Sequence, residues 1–301
     1  MWRGIPSDQA LQVRFWGVRG STCASGPNFV GFGGHTPCVE VRCGPRLFVV
    51  DAGTGISALG ASLGTDAPND VDILFSHFHL DHVGGLPFFK PAILWGDRVM
   101  HTYCGHLDGA DGADTFDRLF SPPIFPIRLD QLPARFEHHG FKAGETLTFR
   151  DGIEVQTIPL NHPGGATGYR FNHAGRSICY ISDLEHTVPW PDPALTAFVK
   201  AADLVIYDGM FSEQDYVGCK GWGHSTWQKG VDLCRAAGVE ALAIYHLYPG
   251  HTDAMLEATE AEMKQVMPGA FVARERLAVS FEPHAAGALA PLVEPAKIPA
   301  E

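Results

Sequence analysis

The sequence predicts an α/β fold, arranged as a four-layer αββα sandwich. Short apolar runs alternate along the chain with amphipathic segments, and turns rich in Gly and Pro follow many of the runs. In residues 252–267, for example, Met255, Thr259 and Met263 recur at approximately helical spacing. Two strand-rich halves, each covered on its outer side by helices, account for this alternation.

The chain is predicted to form one domain. Its 301 residues, 45% of them hydrophobic, can bury a large core, and no linker divides them. The predicted domain extends from residue 10 to residue 283. The tail, residues 284–301, is rich in Ala and Pro and is predicted to be disordered.

The densest chemical signal is an H-x-H-x-D-H cluster formed by His77, His79, Asp81 and His82, directly after the apolar run 71–75. Imidazole and carboxylate groups are the side chains that bind zinc and its neighbours among the first-row metals. Four of them at fixed spacing are rarely incidental surface residues. If the strand leads into a turn and a helix, the first two side chains can point to one metal and the last two to a second.

Other strand-like runs end at residues of the same chemical types. His162, Asp183 and His246 each follow an apolar or alternating run. Strand ends expose side chains from a rigid sheet, so these three residues can complete two metal sites. Asp51 also follows a strand-like run, and it is predicted to orient a ligand rather than to bind metal.

In order and spacing, these residues resemble the five motifs of the metallo-β-lactamase superfamily. The resemblance extends over about residues 12–283, and it implies the αββα sandwich. The residues that carry it are Asp51, His77, His79, Asp81, His82, His162, Asp183 and His246.

The resemblance also implies a ligand set for two divalent ions, Zn²⁺ or alternatively Mn²⁺. The first ion is expected at His77, His79 and His162, the second at Asp81, His82 and His246, with Asp183 bridging the two. Two such ions activate a shared hydroxide at neutral pH without a Ser or Cys nucleophile. Class B1 β-lactamases place a Cys where this chain has Asp183, which argues against that activity.

Within the superfamily, the segments 13–21, 33–36 and 51–55 resemble the phosphodiesterase branch, which contains tRNase Z and a cyclic-phosphate phosphodiesterase. His224, in the context Gly-His-Ser-Thr, is similar to a tRNase Z histidine that acts on the departing oxygen. It is the predicted general acid, and Asp208 is its predicted partner. The alternative is a loop histidine that bonds a backbone group where a helix begins.

The predicted catalytic residues are therefore Asp81, His224 and Asp208, with Asp81 also a metal ligand. The formal net charge of −12, with scattered Lys and Arg and no long basic insertion, favours a small or cyclic nucleotide-like phosphodiester over a long nucleic acid. A lactonase or a glyoxalase II-like thioesterase, using the same metal site, is the alternative. A non-hydrolytic member of the superfamily is a third possibility.

The segment between the cluster and His162 is expected to shape the pocket. Residues 116–125 are a candidate lid, in which Phe120 and Phe125, with Trp95, could stack on a nucleobase or could simply belong to the core. Three further histidines near the motifs are assigned only supporting parts: His35, His186 and His251.

Cellular context is predicted from absences in the sequence. Residues 1–10 lack the pattern of a signal peptide, and no stretch approaches the roughly 20 apolar residues of a membrane span. Seven cysteines without C-x-x-C spacing are expected to be reduced. These features predict a cytoplasmic protein without a membrane partner, for which a homodimer is possible.

Overall fold

The computed structural model describes residues 9–63, 68–149, 151–283 and 292–294. Within these ranges an eight-stranded sheet forms one half of the molecule. Its strands, in chain order, are β1 (Leu11–Gly17), β2 (Cys38–Cys43), β3 (Arg46–Val50), β4 (Asp70–Phe75), β5 (Val99–Cys104), β6 (Arg135–Gly140), β14 (Ala278–Phe281) and β15 (Leu292–Glu294). They lie in the order β15-β14-β1-β2-β3-β4-β5-β6.

A seven-stranded sheet forms the other half. Its strands are β7 (Thr146–Thr148), β8 (Glu154–Leu160), β9 (Ala166–His173), β10 (Arg176–Ile181), β11 (Leu204–Asp208), β12 (Leu242–Tyr245) and β13 (Ala270–Val272), in the order β13-β12-β11-β10-β9-β8-β7. In the first sheet β3 to β6 are parallel, and in the second β10 to β13 are parallel. Each parallel region therefore gathers the C-terminal ends of its strands at one edge.

Eight α-helices are present in the described ranges, and the longer ones pack on the sheets. They are α1 (Gly55–Leu63), α2 (Leu80–Val83), α3 (Lys90–Leu94), α4 (Ala113–Leu119), α5 (Pro193–Val199), α6 (Glu213–Tyr216), α7 (Trp227–Ala237) and α8 (Asp253–Val266). Helix α1 contacts β1, β2 and α3, whereas α7 contacts β11 and β12 and α8 contacts β13. The predicted αββα sandwich is confirmed.

Successive side chains of β3 point alternately into two different apolar cores. Phe48 and Val50 of β3 point between the sheets, into a core shared with β8 to β12. Leu47 and Val49 point to the opposite face, into a second core with α1. This two-residue alternation is what a strand buried on both faces requires, and it explains why β3 is an unbroken apolar run.

The long helices begin at the residues that the sequence indicates. Thr226 caps α7 by accepting a hydrogen bond from the backbone N–H of Lys229, and Thr252 caps α8 in the same way from Met255. Gly238 ends α7 in the left-handed conformation, with φ of 68°. Because Thr226 is the N-cap, α7 begins directly after the loop that carries His224.

The predicted boundary at residue 283 falls after the last strand of the core, β14. Leu292–Glu294, within the predicted tail, pairs with β14 as the edge strand β15. Residues 284–291 and 295–301 lie outside the described residues, so the predicted disorder there stays a prediction. In the described ranges, no helix combines the length and the apolar character needed to cross a membrane. All seven cysteines are unpaired, and five of them are buried.

Replacing Phe48 with Ala tests how strongly the inner core joins the two sheets. Phe48 is fully buried, and its ring lies 4.8 Å from that of Phe149 and 5.5 Å from that of Phe171. We expect Phe48→Ala to lower the free energy of unfolding by about 3–5 kcal/mol, measured by urea denaturation. Val30→Ala, at a side chain that is 78% exposed, is the control and should change it by less than about 0.5 kcal/mol. Equal effects of the two changes would contradict this account of the core.

Candidate metal centre

The parallel strands of both sheets place polar side chains at one end of the sandwich. Asp51 follows β3 and His77 lies two residues after β4 in the first sheet. Asp183 lies two residues after β10, Asp208 ends β11 and His246 follows β12 in the second. The geometry anticipated from the sequence, with candidate ligands at C-terminal strand ends, is present.

Three of these residues adopt the left-handed backbone conformation. The φ angles of Asp51, Asp183 and His246 are 61°, 61° and 55°. Residues other than Gly seldom adopt this conformation, although Asp and His tolerate it better than most, and it is concentrated at functional sites. Each strand thus turns sharply at the residue whose side chain enters the site.

A first group of donor atoms comes from His77, His79 and His162. His79 Nδ1 lies 3.2 Å from His162 Nε2. Asp183 Oδ1 is 3.9 Å from the Nε2 atoms of both His77 and His162. His77 Nε2 is buried and has no hydrogen-bond partner among the described residues. A buried imidazole nitrogen of this kind is unfavourable unless something occupies the space that it faces.

A second group comes from Asp81, His82 and His246. Asp81 Oδ2, His82 Nε2 and His246 Nε2 form a triangle with all three sides 3.3 Å. Zinc ligands at 2.0–2.1 Å in tetrahedral geometry are about 3.3–3.4 Å apart, so the triangle fits one face of such a site. Asp183 lies between the two groups, with Oδ2 3.3 Å from His82 Nε2 and Oδ1 3.2 Å from His246 Nε2.

Hydrogen bonds fix the orientation of the histidine rings. His82 Nδ1 donates to Asp51 Oδ2 at 2.8 Å, and His162 Nδ1 donates to the Gly223 carbonyl at 2.9 Å. Ser76 Oγ is 3.0 Å from His77 Nδ1. Holding Nδ1 in this way directs Nε2 at the donor group, which is the usual arrangement of a metal-binding histidine.

The electrostatics of the site favour a cation. Burial lowers the pKa of His77 well below its ordinary value, so its ring is neutral near pH 7. Burial alone would raise the pKa of Asp183, but His246, His82 and His77 outweigh it and hold the pKa well below its ordinary value. Burial alone would lower the pKa of His82, but Asp183, Asp51 and Asp81 outweigh it and raise the pKa well above its ordinary value, so a metal ion at the second group takes the place of a proton on this ring.

His224 and Asp208, the predicted acid and its partner, are also brought together. His224 Nδ1 donates to Asp208 Oδ2 at 2.8 Å, and the His224 ring stacks on that of His246 at 4.7 Å. Burial lowers the pKa of His224, but the charge and hydrogen bond of Asp208 prevail and raise it to about 9. His224 is therefore bonded to a carboxylate, and the alternative of a bond to a backbone group at the helix start is wrong.

The three supporting histidines lie outside these donor groups. His35 Nδ1 is 3.1 Å from Thr54 Oγ1, and His186 Nδ1 is 2.9 Å from Ser225 Oγ. The His251 carbonyl accepts a hydrogen bond from the buried Arg19 at 2.7 Å. His186 therefore contacts the residue that follows His224 rather than the donor atoms themselves.

Of the two interpretations of Phe120 that the sequence left open, membership of the core is the one that the structure supports. Phe120 is only 1% exposed and, like Phe116, belongs to the outer core beneath the first sheet. Phe116 packs on Phe75 and Phe78, so this part of the predicted lid supports the strand that carries the cluster. The stacking predicted for Phe125 and Trp95 is not tested by these contacts.

Several residues that contact the site were not anticipated. The backbone N–H of Ser21 donates to Asp81 Oδ2 at 2.7 Å, and Tyr180 Oη donates to Asp51 Oδ2 at 2.7 Å. Ser76, adjacent to His77, could have been suspected from its position. The other two could not, because each reaches the site from an element that is distant in sequence.

An aromatic rim beside His224 was also missed. The Phe211 ring lies 6.0 Å from that of His224, 6.4 Å from Trp222 and 6.2 Å from Tyr248. Trp222 and Tyr248 are 60% and 40% exposed, which leaves their faces available to a ligand. We refer to Phe211, Trp222 and Tyr248 as the aromatic rim.

The chain is similar in sequence to known proteins. It is 23% identical over 287 residues to a ribonuclease Z from Porphyromonas gingivalis, covering 78% of this chain and 90% of that one. It is 26% identical over 249 residues to a ribonuclease Z from Mycobacterium marinum, covering 71% and 80%. The resemblance to the phosphodiesterase branch is confirmed by these relatives.

Solved structures share the fold. The metallo-beta-lactamase fold protein YhfI from Bacillus subtilis matches with a TM-score of 0.69 at 19% identity, covering 91% of this chain and all of that one. A diphosphatase of the PhnP family matches with a TM-score of 0.68 at 18% identity, covering 91% and 99%. The short form of human tRNase Z matches with a TM-score of 0.64 at 18% identity, covering 89% and 98%. Residues 46–247 match the family model of the beta-lactamase superfamily domain, and the chain therefore belongs to that superfamily.

Proposed function

We propose that this protein is a metal-dependent phosphodiesterase with two divalent ions, Zn²⁺ in the native state, that acts on a small or cyclic nucleotide-like diester. The observation that carries the proposal is the pair of donor groups joined by Asp183, whose oxygens lie 3.2–3.9 Å from donor nitrogens of both groups. The first ion is assigned to His77, His79 and His162. The second is assigned to Asp81, His82 and His246, with Asp183 shared.

When bound, two such ions supply a nucleophilic hydroxide at neutral pH and stabilise the charge that develops on the phosphoryl oxygens. The residues of the chain hold the donor atoms in place and move the proton that the leaving group needs. His224 is the proposed general acid, because Asp208 keeps its Nδ1 protonated and leaves Nε2 as the atom that can donate. The backbone N–H of Ser21 orients the carboxylate of Asp81, which belongs to the second group.

The loop 216–224 couples His224 to the first donor group. Glu185 accepts hydrogen bonds from the backbone N–H groups of Gly221 and Gly223 at 2.7 and 2.9 Å, and from Tyr216 Oη at 2.9 Å. The Gly223 carbonyl in turn accepts from His162. Glu185 therefore acts as a positioning residue that holds the loop while the adjacent residue, His224, faces the substrate.

Two observations support a compact, nucleotide-like substrate. Trp222 and Tyr248, the exposed members of the aromatic rim, can stack on a base, and aromatic stacking tolerates any base because each has a π-face. The net charge of −12 disfavours a long polyanion, whereas a single diester is neutralised locally by the metals. The ribonuclease Z relatives favour a phosphodiester over the lactone and thioester alternatives.

RNA cleavage is the second candidate, since relatives named ribonuclease Z align with 78% and 71% of this chain. Hydrolysis of a 2′,3′-cyclic nucleotide, an RNA with a 3′ extension, a lactone and a thioester should be compared under identical conditions with metal-analysed protein. We expect the cyclic nucleotide to be cleaved with the highest kcat/KM. A higher value for the RNA would select the second candidate, and cleavage of only the lactone or the thioester would overturn the proposal.

Replacing Asp183 with Ala should remove the shared donor. Because both donor groups lose an oxygen, and several buried histidines lose their counter-charge, we expect the metal content to fall from about two ions per chain to below one. Elemental analysis of the purified protein measures the change. Asp97→Ala, at a side chain that is 70% exposed, is the matched control and should keep the full content. Two ions retained by the Asp183 variant, with full activity, would refute the assignment.

Replacing His224 with Ala tests the general acid. We expect kcat for the cyclic nucleotide to fall about 10²–10⁴-fold with the metal content unchanged, because an alkoxide departs slowly without a proton. For bis(p-nitrophenyl) phosphate, whose leaving group needs little protonation, the loss should be much smaller. His173→Ala, a half-buried histidine at the end of β9, is the control. An equal loss on both substrates would show that His224 does not protonate the leaving group.

Gly223→Ala tests the coupling between the loop and the first donor group. Gly223 has φ of 89°, and a Cβ atom there would collide with the His162 ring and with Pro163. We expect weaker metal binding, by about 10–100-fold, and a parallel loss of activity, because the His162 ring must shift. A competition titration with a chelator measures the affinity. Gly221→Ala, where the same atom meets open space at φ of 86°, separates backbone strain from the collision. Equal effects of the two variants would contradict the coupling.

A further inference from the structure

We propose that the protein has a second, separate metal site formed by His101, Glu137 and His139, which we call the edge site. None of these residues belongs to the candidate metal centre. They lie on β5 and β6, and β6 is the last strand of the first sheet within the described residues. The edge site would hold a divalent first-row ion, Zn²⁺ in particular, because its donors are two imidazoles and one carboxylate.

The strand register places the three side chains on one face. In the parallel pair β5 and β6, His101 is the register partner of Glu137, and Tyr103 is the partner of His139. Side chains of a strand alternate between its faces, so Glu137 and His139 share a face. His138, between them, points the other way and stacks on Phe116 in the outer core at 5.0 Å. Only the inner face of β6 therefore carries the potential ligands.

Two of the three donor–donor distances match those of a tetrahedral site. His101 Nδ1 lies 3.3 Å from His139 Nε2 and 3.4 Å from Glu137 Oε2. Ligands at 2.0–2.1 Å from zinc in tetrahedral geometry are about 3.3–3.4 Å apart. The same spacing relates the donors of Asp81, His82 and His246 in the candidate metal centre.

The contacts around His101 also fit a metal ligand. His101 Nε2 is 3.4 Å from Asp70 Oδ1, so the ring can donate from Nε2 to this carboxylate. In a neutral ring, Nδ1 is then a lone pair that faces the Glu137 carboxylate. A cation placed between this lone pair and the carboxylate is attracted by both. A carboxylate behind a histidine is the arrangement that commonly orients a metal-bound ring.

Packing and space are compatible with an ion. The Tyr103 ring stacks on His139 at 4.6 Å with an interplanar angle of 16°, which restrains the second imidazole. His101 and His139 line a cavity of about 260 Å³, where water can supply a fourth ligand. Arg46 lines it too, but its charge is compensated by ion pairs with Asp72 and Asp151.

An ion at this position has a structural consequence. It would connect the edge strand β6 to β5 through side chains as well as through backbone hydrogen bonds. Metal binding to the folded state raises stability in proportion to the logarithm of the free metal concentration. The edge site is therefore expected to stabilise this end of the first sheet.

The test counts ions in the intact protein and in variants. Wild-type protein and the variants Glu137→Gln and His139→Ala are equilibrated with Zn²⁺, desalted and analysed for metal. We expect each variant to contain one ion per chain fewer than wild type, and to lose the Zn²⁺-dependent rise in Tm that accompanies occupation of this site. Glu137→Gln changes a half-exposed side chain and preserves its shape, so it keeps the test valid if His139→Ala folds poorly.

His138→Asn is the matched control, because His138 lies between the two ligands and faces away from them; it should bind as many ions as wild type. Diester hydrolysis should be unchanged in Glu137→Gln, because Glu137 lies outside the candidate metal centre. Asp183→Ala, which changes that centre, should lower it. The difference of one ion does not depend on how many ions the candidate metal centre holds, so failure here and failure of the proposed function are distinguishable. Equal metal content in wild type, Glu137→Gln and His139→Ala would overturn the proposal.

Discussion

The buried carboxylate of Asp183 is the group on which the arrangement of the site depends. It is only 1% exposed, and its oxygens lie within 4.0 Å of nitrogens on His77, His82, His162, His224 and His246. A charge buried this deeply is unfavourable by several kcal/mol unless it is compensated. The histidines around Asp183 come from both halves of the sandwich, so their contacts with this carboxylate connect the two halves at the site.

Three buried tyrosines of the second sheet also connect the two halves. Tyr169 donates to the Phe75 carbonyl at 2.6 Å, Tyr180 to Asp51 Oδ2 at 2.7 Å and Tyr245 to the Gly17 carbonyl at 2.7 Å. All three acceptors belong to the first sheet or to the residue that ends one of its strands. Apolar packing alone is non-directional and would permit sliding, whereas these hydrogen bonds favour one register.

The residues that the structure brings together could be singled out in the sequence, because they follow strand-like runs or belong to the dense H-x-H-x-D-H cluster, whereas their roles as metal ligands stay a prediction. The αββα arrangement followed from the same pattern. What could not be predicted depends on pairing between elements that are remote in the chain, such as Tyr180 reaching Asp51 or Ser21 N–H reaching Asp81. The left-handed backbone of Asp51, Asp183 and His246 leaves no trace in composition.

Phe120 is a residue for which the sequence left two interpretations open. An aromatic residue near Pro122 and Pro123 has the sequence character of a lid, and also that of a core residue placed at a chain reversal. Burial decides between them, and burial depends on whether a partner surface is present. Phe116, Phe125 and Phe136 provide that surface.

The site combines donors held by regular structure with residues carried on loops. The proposed metal donors emerge from strand ends and from the short helix α2, where backbone hydrogen bonds restrain them. The proposed acid and the aromatic rim depend instead on loops that precede α7 and follow β11 and β12. Glu185 restrains the first of these loops through the N–H groups of Gly221 and Gly223, so that changes elsewhere in the loop can alter what is bound while His224 keeps its distance from Asp208. Substrate choice can therefore change without disturbing the donors that surround Asp183.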